Sequence, residues 1–293
     1  QNIYNFSYYG LYSPVILLSY LLPFVKMSDY IIAVSIAGIA VSVSLLYYWL
    51  GRRGFPEEIR LGVALMYMLA GPVIYQSCHQ IMFVQYMPFL LMTFLGVDRY
   101  WEKGKPGLYT LGVFLMILTS FYFSIAGMAA IFLYGWYGYP KGIRKRKLFG
   151  FPVPMIVAVL SAGVLLIPTA YAILQRSGSS QSQNLKELLM PNLQLDSSLY
   201  GTYSVGLTVI LVAVLLGGIV CGSIRERVVS VVCVALLTVP VFAWGFNGML
   251  YVRYKSLIPF LPFFCYLTAV FLKRMKNGEI GRWKGTFIFG GTV

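Results

Sequence analysis

Long apolar runs separated by short basic segments restrict what this chain can fold into. Runs of spanning length occupy residues 29–50, 57–75, 81–97, 151–174, 203–222, 228–245 and 256–272. A membrane helix needs roughly 20 such residues. Hydrophobic residues make up 59% of the chain and charged residues 11%, whereas soluble domains carry about 25% charged residues. The sequence therefore predicts an all-α, polytopic integral membrane helical bundle.

The basic residues predict the orientation of this bundle. Five short segments hold 18 of the 23 Lys and Arg residues: 52–60, 98–105, 141–147, 223–227 and 273–284. By the positive-inside rule these segments are cytoplasmic. The other basic residues then face outward: Lys26, Arg176, Lys186, Arg253 and Lys255. The net charge of +14 is dispersed over short loops, whereas a nucleic-acid reader gathers its charge on one surface, so no nucleic-acid partner is expected.

The apolar stretch at 108–139 is too long for one comfortable span and short for two. Both of its flanks are basic, which requires them to share one side of the membrane. The stretch therefore either crosses twice, as short helices broken near 119–123, or dips into the membrane and returns. Two crossings are favoured, which gives about nine complete transmembrane helices and a truncated tenth.

The predicted organisation has two parts. Residues 1–28 form the end of an extracytoplasmic loop, with an interfacial helix at 11–25, and residues 29–293 form the transmembrane domain. An outer loop at 175–202 contains a short amphipathic stretch, 185–190, and is expected to be a lid, an acceptor-binding loop or a plain connector. The chain starts without Met and ends a few residues into an apolar run, so both termini are expected to be truncated.

Arg253 is the most informative outer cation. It lies in the sequence YVRYK, immediately before the last complete span. A guanidinium group at the membrane surface suits a lipid phosphate, which it can hold with two parallel hydrogen bonds. Lys255 and Lys26 would add point charges to this donor-phosphate site. The alternative for Arg253 is snorkelling to outer-leaflet headgroups.

Several outer polar and aromatic residues are candidates for binding a sugar or an acceptor. The candidates are His79, Gln76, Tyr254, Tyr122 and Asp196. Hydrogen bonding between helices is an equal alternative for the Gln and His side chains. Tyr122 belongs to an aromatic cluster that would line a groove for a lipid chain or pack in the core, and Asp196 is equally a turn residue.

No cofactor is predicted. The four cysteines form no CxxC pair, and Cys78 beside His79, the only histidine, falls far short of a metal-binding shell. The sequence therefore supports neither a disulfide framework nor a divalent cation.

The chain carries five motifs in order: YYGLYSP at 8–14, PFLL at 88–91, GVDRY at 96–100, GKP at 104–106 and SFYF at 120–123. The order of these motifs resembles the YfhO family of bacterial membrane proteins. The likeness covers roughly residues 5–140, and beyond it an arginine before an apolar span, Arg253, supports the assignment.

This resemblance implies a GT-C-type glycosyltransferase in the bacterial cytoplasmic membrane. Such an enzyme would take a sugar from a polyprenyl-phosphate donor on the outer face and transfer it to a cell-surface polymer such as lipoteichoic acid. The catalytic carboxylate of GT-C enzymes usually lies in the first outer loop, so here it is expected upstream of Gln1. The alternatives are a non-enzymatic lipid or sugar transporter or flippase, and a structural partner of a cell-envelope assembly complex.

Overall fold

The computed structural model describes most of the chain as helix. The described residues are 12–79, 81–140, 142–143, 145–176, 185–192, 199–201, 203–249 and 251–280. Within these ranges the chain has no β-strand, so the all-α class is confirmed. The contacts divide the chain into two compact units, Gln1–Leu45 with Gln76–Ser182, and Leu46–Tyr75 with Gln183–Val293.

The first unit is built around a central helix, α6. Its helices are α1 (Pro14–Leu18), most of α2 (Met27–Arg52), α5 (Ile81–Lys103), α6 (Gly107–Thr119), α7 (Phe121–Gly138), α8 (Lys145–Phe149) and α9 (Val153–Arg176). A 3-10 turn, Ser19–Leu21, follows α1. Helix α6 contacts α1, α5, α7 and α9, so it forms the core of this unit.

The second unit is centred on the last described helix. Its helices are the end of α2, α3 (Glu57–Met68), most of α4 (Gly71–His79), α10 (Leu185–Leu189), α11 (Thr208–Cys221), α12 (Ile224–Thr238), α13 (Pro240–Phe246) and α14 (Leu261–Lys276). A 3-10 helix, Tyr254–Phe260, leads directly into α14. Helix α14 contacts α3 and α11.

Candidate membrane spans are present in both units. By length and composition, four helical segments in the described part of the chain can cross a bilayer: Met27–Arg52, Phe121–Gly138, Arg146–Leu165 and Tyr254–Lys276. Two bent pairs raise this number to six if each pair is one span, namely α3 with α4, bent by 45°, and α12 with α13, bent by 79°. The chain is thus a multi-pass protein by these criteria, and the larger number of nine complete spans stays a prediction.

The break expected within 108–139 is confirmed. Ser120 has an extended backbone (φ −152°, ψ 96°) and separates α6 from α7. The hydroxyl of Ser124 donates to the carbonyl oxygens of Ser120 at 2.6 Å and of Met116 at 3.2 Å. The same two carbonyls also accept from backbone N–H groups, Ser120 from Ser124 at 3.2 Å and Met116 from Ser120 at 3.0 Å. They stay paired at the break, so the interruption is compatible with an apolar surrounding.

Most of the polar segment 98–105 is helical. Helix α5 continues to Lys103, and Asp98 is only 2% exposed. Its carboxylate accepts a hydrogen bond from the hydroxyl of Tyr134 on α7. A buried carboxylate requires such a partner, and a partner distant in sequence cannot be recognised from the local composition.

Ion pairs gather three of the predicted cytoplasmic segments at one end of the second unit. Arg274 at the end of α14 pairs with Glu226 at the start of α12, at 2.9 Å. Lys276 pairs with Glu58 at the start of α3, at 3.3 Å. The segments 52–60 and 223–227 and the described part of 273–284, residues 273–280, therefore share one end of this unit, as the alternation of loops requires. The side of the membrane stays a prediction.

Labelling of the cysteines tests which side of the membrane the predicted outer and inner segments face. Cys78 on α4 is exposed and belongs to a predicted outer segment, whereas Cys221 is half-buried at the end of α11, beside a predicted inner segment. In single-cysteine variants, we expect a membrane-impermeant maleimide to label Cys78 in intact cells and Cys221 only after permeabilisation. Buried Cys233 provides an unlabelled control. Labelling of Cys221 in intact cells, with Cys78 protected, would reverse the orientation.

Candidate functional site

The segment between α13 and the 3-10 helix positions Arg253. It begins with an Asn-Gly pair, a common turn signal, and both Gly248 (φ 67°) and Met249 (φ 62°) have left-handed backbones. The buried Asn247 side-chain amide donates to the carbonyl oxygens of Ala243 at 2.5 Å and of Arg253 at 2.7 Å. Asn247 thus ties the backbone of Arg253 to the end of α13.

A second donor fixes the same carbonyl group. The hydroxyl of Ser256 donates to the Arg253 oxygen at 3.2 Å. Arg253 itself is extended (φ −149°, ψ 134°) and lies at the N-cap position of the 3-10 helix. Its side chain is exposed. The backbone is therefore held from two sides, while the guanidinium group remains accessible to a ligand.

Two cations share the ring of Tyr251. The Arg253 Cζ atom lies 5.8 Å from the ring centroid, and the Lys255 Nζ atom lies 5.2 Å from it. Both distances are within the range of a cation–π contact. Two positive groups beside one ring make a local site suited to a phosphate, since charge-assisted hydrogen bonds to phosphate are short and strong. We call Tyr251, Arg253 and Lys255 the cation pair and its ring.

The 3-10 helix that follows Arg253 is buried over most of its length. Tyr254 is half-buried, and the 3-10 helix that it starts becomes fully buried from Ser256 to Phe260. Pro259 and Pro262 lack the backbone N–H that an α-helix interior needs, which explains why α14 begins only at Leu261. The cation pair therefore adjoins a buried helical segment. The sugar-binding role of Tyr254 stays a prediction.

The other predicted phosphate ligand, Lys26, lies in the first unit. It is exposed and precedes α2, where its carbonyl oxygen accepts from the backbone N–H groups of Asp29 and Tyr30, both at 3.0 Å. Its ammonium group is thus available on the surface, and its role as a donor-phosphate ligand stays a prediction. Asp196, a predicted acceptor-binding residue, lies outside the described residues.

Gln76 and His79 lie one turn apart on α4 but in different environments. Gln76 is 1% exposed, whereas His79 is exposed. A buried amide is typical of hydrogen bonding inside a helical bundle, which favours the alternative reading for Gln76. His79 remains accessible to a sugar or an acceptor, and its binding role stays a prediction.

Tyr122 lies beside the break between α6 and α7. It is half-buried, and its ring packs edge-on against Phe123 with centroids 5.2 Å apart. Phe123 is buried and also contacts Tyr86, whose hydroxyl donates to the Phe123 carbonyl oxygen at 3.0 Å. The neighbouring rings therefore pack the core, and a lipid-binding groove at Tyr122 stays a prediction.

Two residues of the site were not singled out by sequence reasoning. Tyr251 was only a neighbour of Arg253, and Asn247 was not considered, although the Asn-Gly pair marked a turn.

Metal ligation has no candidate in the described part of the chain, where no group of three or more His, Cys, Asp or Glu side chains could hold a metal ion.

Removing the Asn247 amide is expected to loosen the site. In Asn247→Ala, the loss of two side-chain hydrogen bonds should lower the free energy of unfolding by about 1–3 kcal/mol. The matched control is Asn277→Ala, because Asn277 is exposed and its side-chain amide donates to Glu279 in the turn after α14. Thermal denaturation followed by size-exclusion chromatography checks the result. Equal melting temperatures for the two variants would contradict the anchoring role.

A comparison with known families assigns the chain. The sequence profile of the family described as bacterial membrane protein YfhO matches residues 2–290. The chain belongs to the YfhO family. The match extends the likeness seen in the motifs before residue 140 to the segment that carries Arg253. No curated protein and no solved structure shows a significant match.

Proposed function

We propose that this YfhO family protein is a membrane glycosyltransferase that moves a sugar from a polyprenyl-phosphate donor to an extracytoplasmic acceptor such as lipoteichoic acid. The observation that carries the proposal is the cation pair and its ring, held by the buried Asn247. A site of this kind at the head of a membrane helix suits a ligand with a phosphate at the membrane surface and a long apolar tail.

The cations suit the charge that develops during transfer. An acceptor hydroxyl attacks the anomeric carbon of the sugar, the bond from that carbon to the phosphate oxygen breaks, and polyprenyl phosphate departs with one additional negative charge. Arg253 and Lys255 stabilise this charge. Charged groups that are already in position before the reaction lower the activation barrier most. The acceptor proton passes to a general base.

Transfer by the full-length protein tests the proposal. The protein is reconstituted in liposomes with polyprenyl-phosphate-linked radiolabelled hexose or N-acetylhexosamine and with teichoic acid as acceptor. The expected result is label on the acceptor and release of one polyprenyl phosphate for each sugar transferred. The absence of transfer from every polyprenyl-linked sugar would contradict the proposed class.

The bent helix pairs favour a second candidate, a lipid or sugar transporter. Broken helices commonly form the binding sites of transporters, and α12 and α13 are bent by 79° shortly before the cation pair. A transporter would move the labelled donor across the vesicle membrane without an acceptor and without releasing polyprenyl phosphate. The same liposomes, assayed without acceptor, distinguish the two functions.

A further inference from the structure

The first unit contains a basic cavity on the face that the charge pattern predicts to be cytoplasmic. Its volume is about 510 Å³, and it is lined by Tyr100, Gly104, Ile143, Arg146 and Lys147. Ligand pockets are commonly about 300–1,000 Å³. Among the described residues, the lining carries two cations and no carboxylate, so it favours an anion. We call it the basic cavity.

Lys147 is held in place within the basic cavity. Its Nζ atom donates to the carbonyl oxygen of Trp101 at 2.5 Å and lies 5.8 Å from the ring centroid of Tyr100. In return, the hydroxyl of Tyr100 donates to the carbonyl oxygen of Lys147 at 2.9 Å. Burial raises the pKa of Tyr100 above its usual value, so this phenol stays neutral and keeps its donor at physiological pH.

A stack of aromatic rings supports the wall of the basic cavity. Phe151 stacks on Trp101 with centroids 4.9 Å apart and on Tyr109 with centroids 5.4 Å apart. The stack fits closely against α7, because a Cβ atom at Gly135 would lie 2.1 Å from the Phe151 ring. Such packing leaves little freedom to the residues beside it. The cations therefore project from a preformed wall.

Exposed apolar side chains follow the two cations directly. Leu148 is 37% exposed, Phe149 79% and Val153 51%. Cations beside exposed large apolar residues are typical of segments that lie at a membrane interface. A soluble anion would use only the cations, whereas a phospholipid uses the cations and the apolar side chains together.

We propose that the basic cavity binds the phosphate of an anionic phospholipid in the cytoplasmic leaflet. Arg146 holds the phosphate with its guanidinium fork, Lys147 supplies a fixed second charge, and Phe149 with Leu148 contacts the first part of the acyl chains. Basic pockets beside membrane helices on the cytoplasmic side suit such headgroups. This site is independent of the proposed sugar transfer, because none of its residues belongs to the cation pair and its ring.

Native mass spectrometry of the purified full-length protein tests the lipid site. The protein is titrated with phosphatidylglycerol, with phosphatidylcholine, and with phosphatidylglycerol in the presence of soluble glycerol 1-phosphate. We expect phosphatidylglycerol to bind more tightly than phosphatidylcholine and to resist displacement by glycerol 1-phosphate. Arg146→Gln should weaken phosphatidylglycerol binding about fivefold, the effect of about one charge near the surface.

The matched control is Arg227→Gln, since Arg227 is an exposed cation of another predicted cytoplasmic segment and does not line the cavity. It should leave the affinity unchanged. Equal losses in the two variants would mean general surface attraction, and equal affinities for the two lipids would remove the preference for an anion. Full displacement by glycerol 1-phosphate would mean a site for free anions. Each of these three outcomes overturns the proposal.

Discussion

Replacing Arg253 by alanine in the full-length protein is expected to lower kcat for sugar transfer by about 100-fold, the usual effect of removing one fixed donor from a site of developing charge. Arg253 combines an anchored backbone with an exposed guanidinium group. Steady-state kinetics with a polyprenyl-phosphate sugar measures the effect. A loss confined to kcat indicates stabilisation of the departing phosphate, whereas a rise in KM alone indicates ground-state binding.

Two variants control this measurement. Arg253→Lys keeps the charge but loses the bidentate fork, so its activity should lie between those of the wild type and the alanine variant. Arg227→Ala removes an exposed cation near the start of α12 and should leave kcat unchanged. Unchanged kcat and KM in Arg253→Ala would exclude Arg253 from the mechanism.

Gly96→Ala is expected to destabilise the protein. A Cβ atom at Gly96 on α5 would lie 2.5 Å from the backbone nitrogen of Tyr109 on α6. Because the clash would be with the backbone of α6, no change of side-chain rotamer relieves it. Overpacking of this kind costs about 1–3 kcal/mol. The same helix pair is close at Gly112, where a Cβ atom would lie 2.3 Å from Thr93 Oγ1. Small residues permit this approach.

The control for Gly96 is Gly163→Ala on α9. Apart from the adjoining backbone of α9 itself, no heavy atom lies within 4 Å of a Cβ atom at Gly163, so alanine there should be neutral or should stabilise the helix by up to about 1 kcal/mol. Loss of the monodisperse chromatographic peak on heating, compared among the wild type and both variants, checks the prediction. Equal melting temperatures for Gly96→Ala and Gly163→Ala would contradict the close packing of α5 on α6.

Features of the fold that depend on local sequence were predictable. The apolar runs predicted helices because lipid leaves the backbone few other ways to satisfy its hydrogen bonds. The break at Ser120 followed from two basic flanks around an apolar stretch of awkward length. The amphipathic stretch at 185–190 forms a helix, Leu185–Leu189. In each case, the signal lies within about 30 consecutive residues of the chain.

The bends were missed although the sequence contains their cause. The run 228–245 was predicted as one span, but it divides into α12 and α13 at Val239. Pro240 lacks an N–H group and restricts the residue before it. Pro72 likewise lies in the first turn of α4, next to the break between α3 and α4. The ring of Pro72 is closely packed, because a Cβ atom at Gly206 would lie 2.2 Å from it. A hydropathy profile alone does not reveal these constraints of proline on the helix backbone.

The candidate site was only partly predictable because its contacts join separate elements. The charge pattern predicts that Arg253 faces outward, but its anchoring by Asn247 depends on the geometry of a turn with two left-handed residues. The shared ring of Tyr251 depends on which way the side chains of Arg253 and Lys255 point. The burial of Asp98 was not predicted for the same reason, since its partner Tyr134 lies on another helix.

Binding of polyprenyl phosphate to the full-length protein is the most direct test of the central claim that the cation pair and its ring hold the donor phosphate. Affinities are measured for the wild type, for Arg253→Ala and for the control Arg227→Ala. We expect Arg253→Ala to bind at least about tenfold more weakly, the equivalent of about 1.4 kcal/mol for one charge-assisted contact, and Arg227→Ala to bind as the wild type does. Equal affinities of all three proteins would contradict the claim.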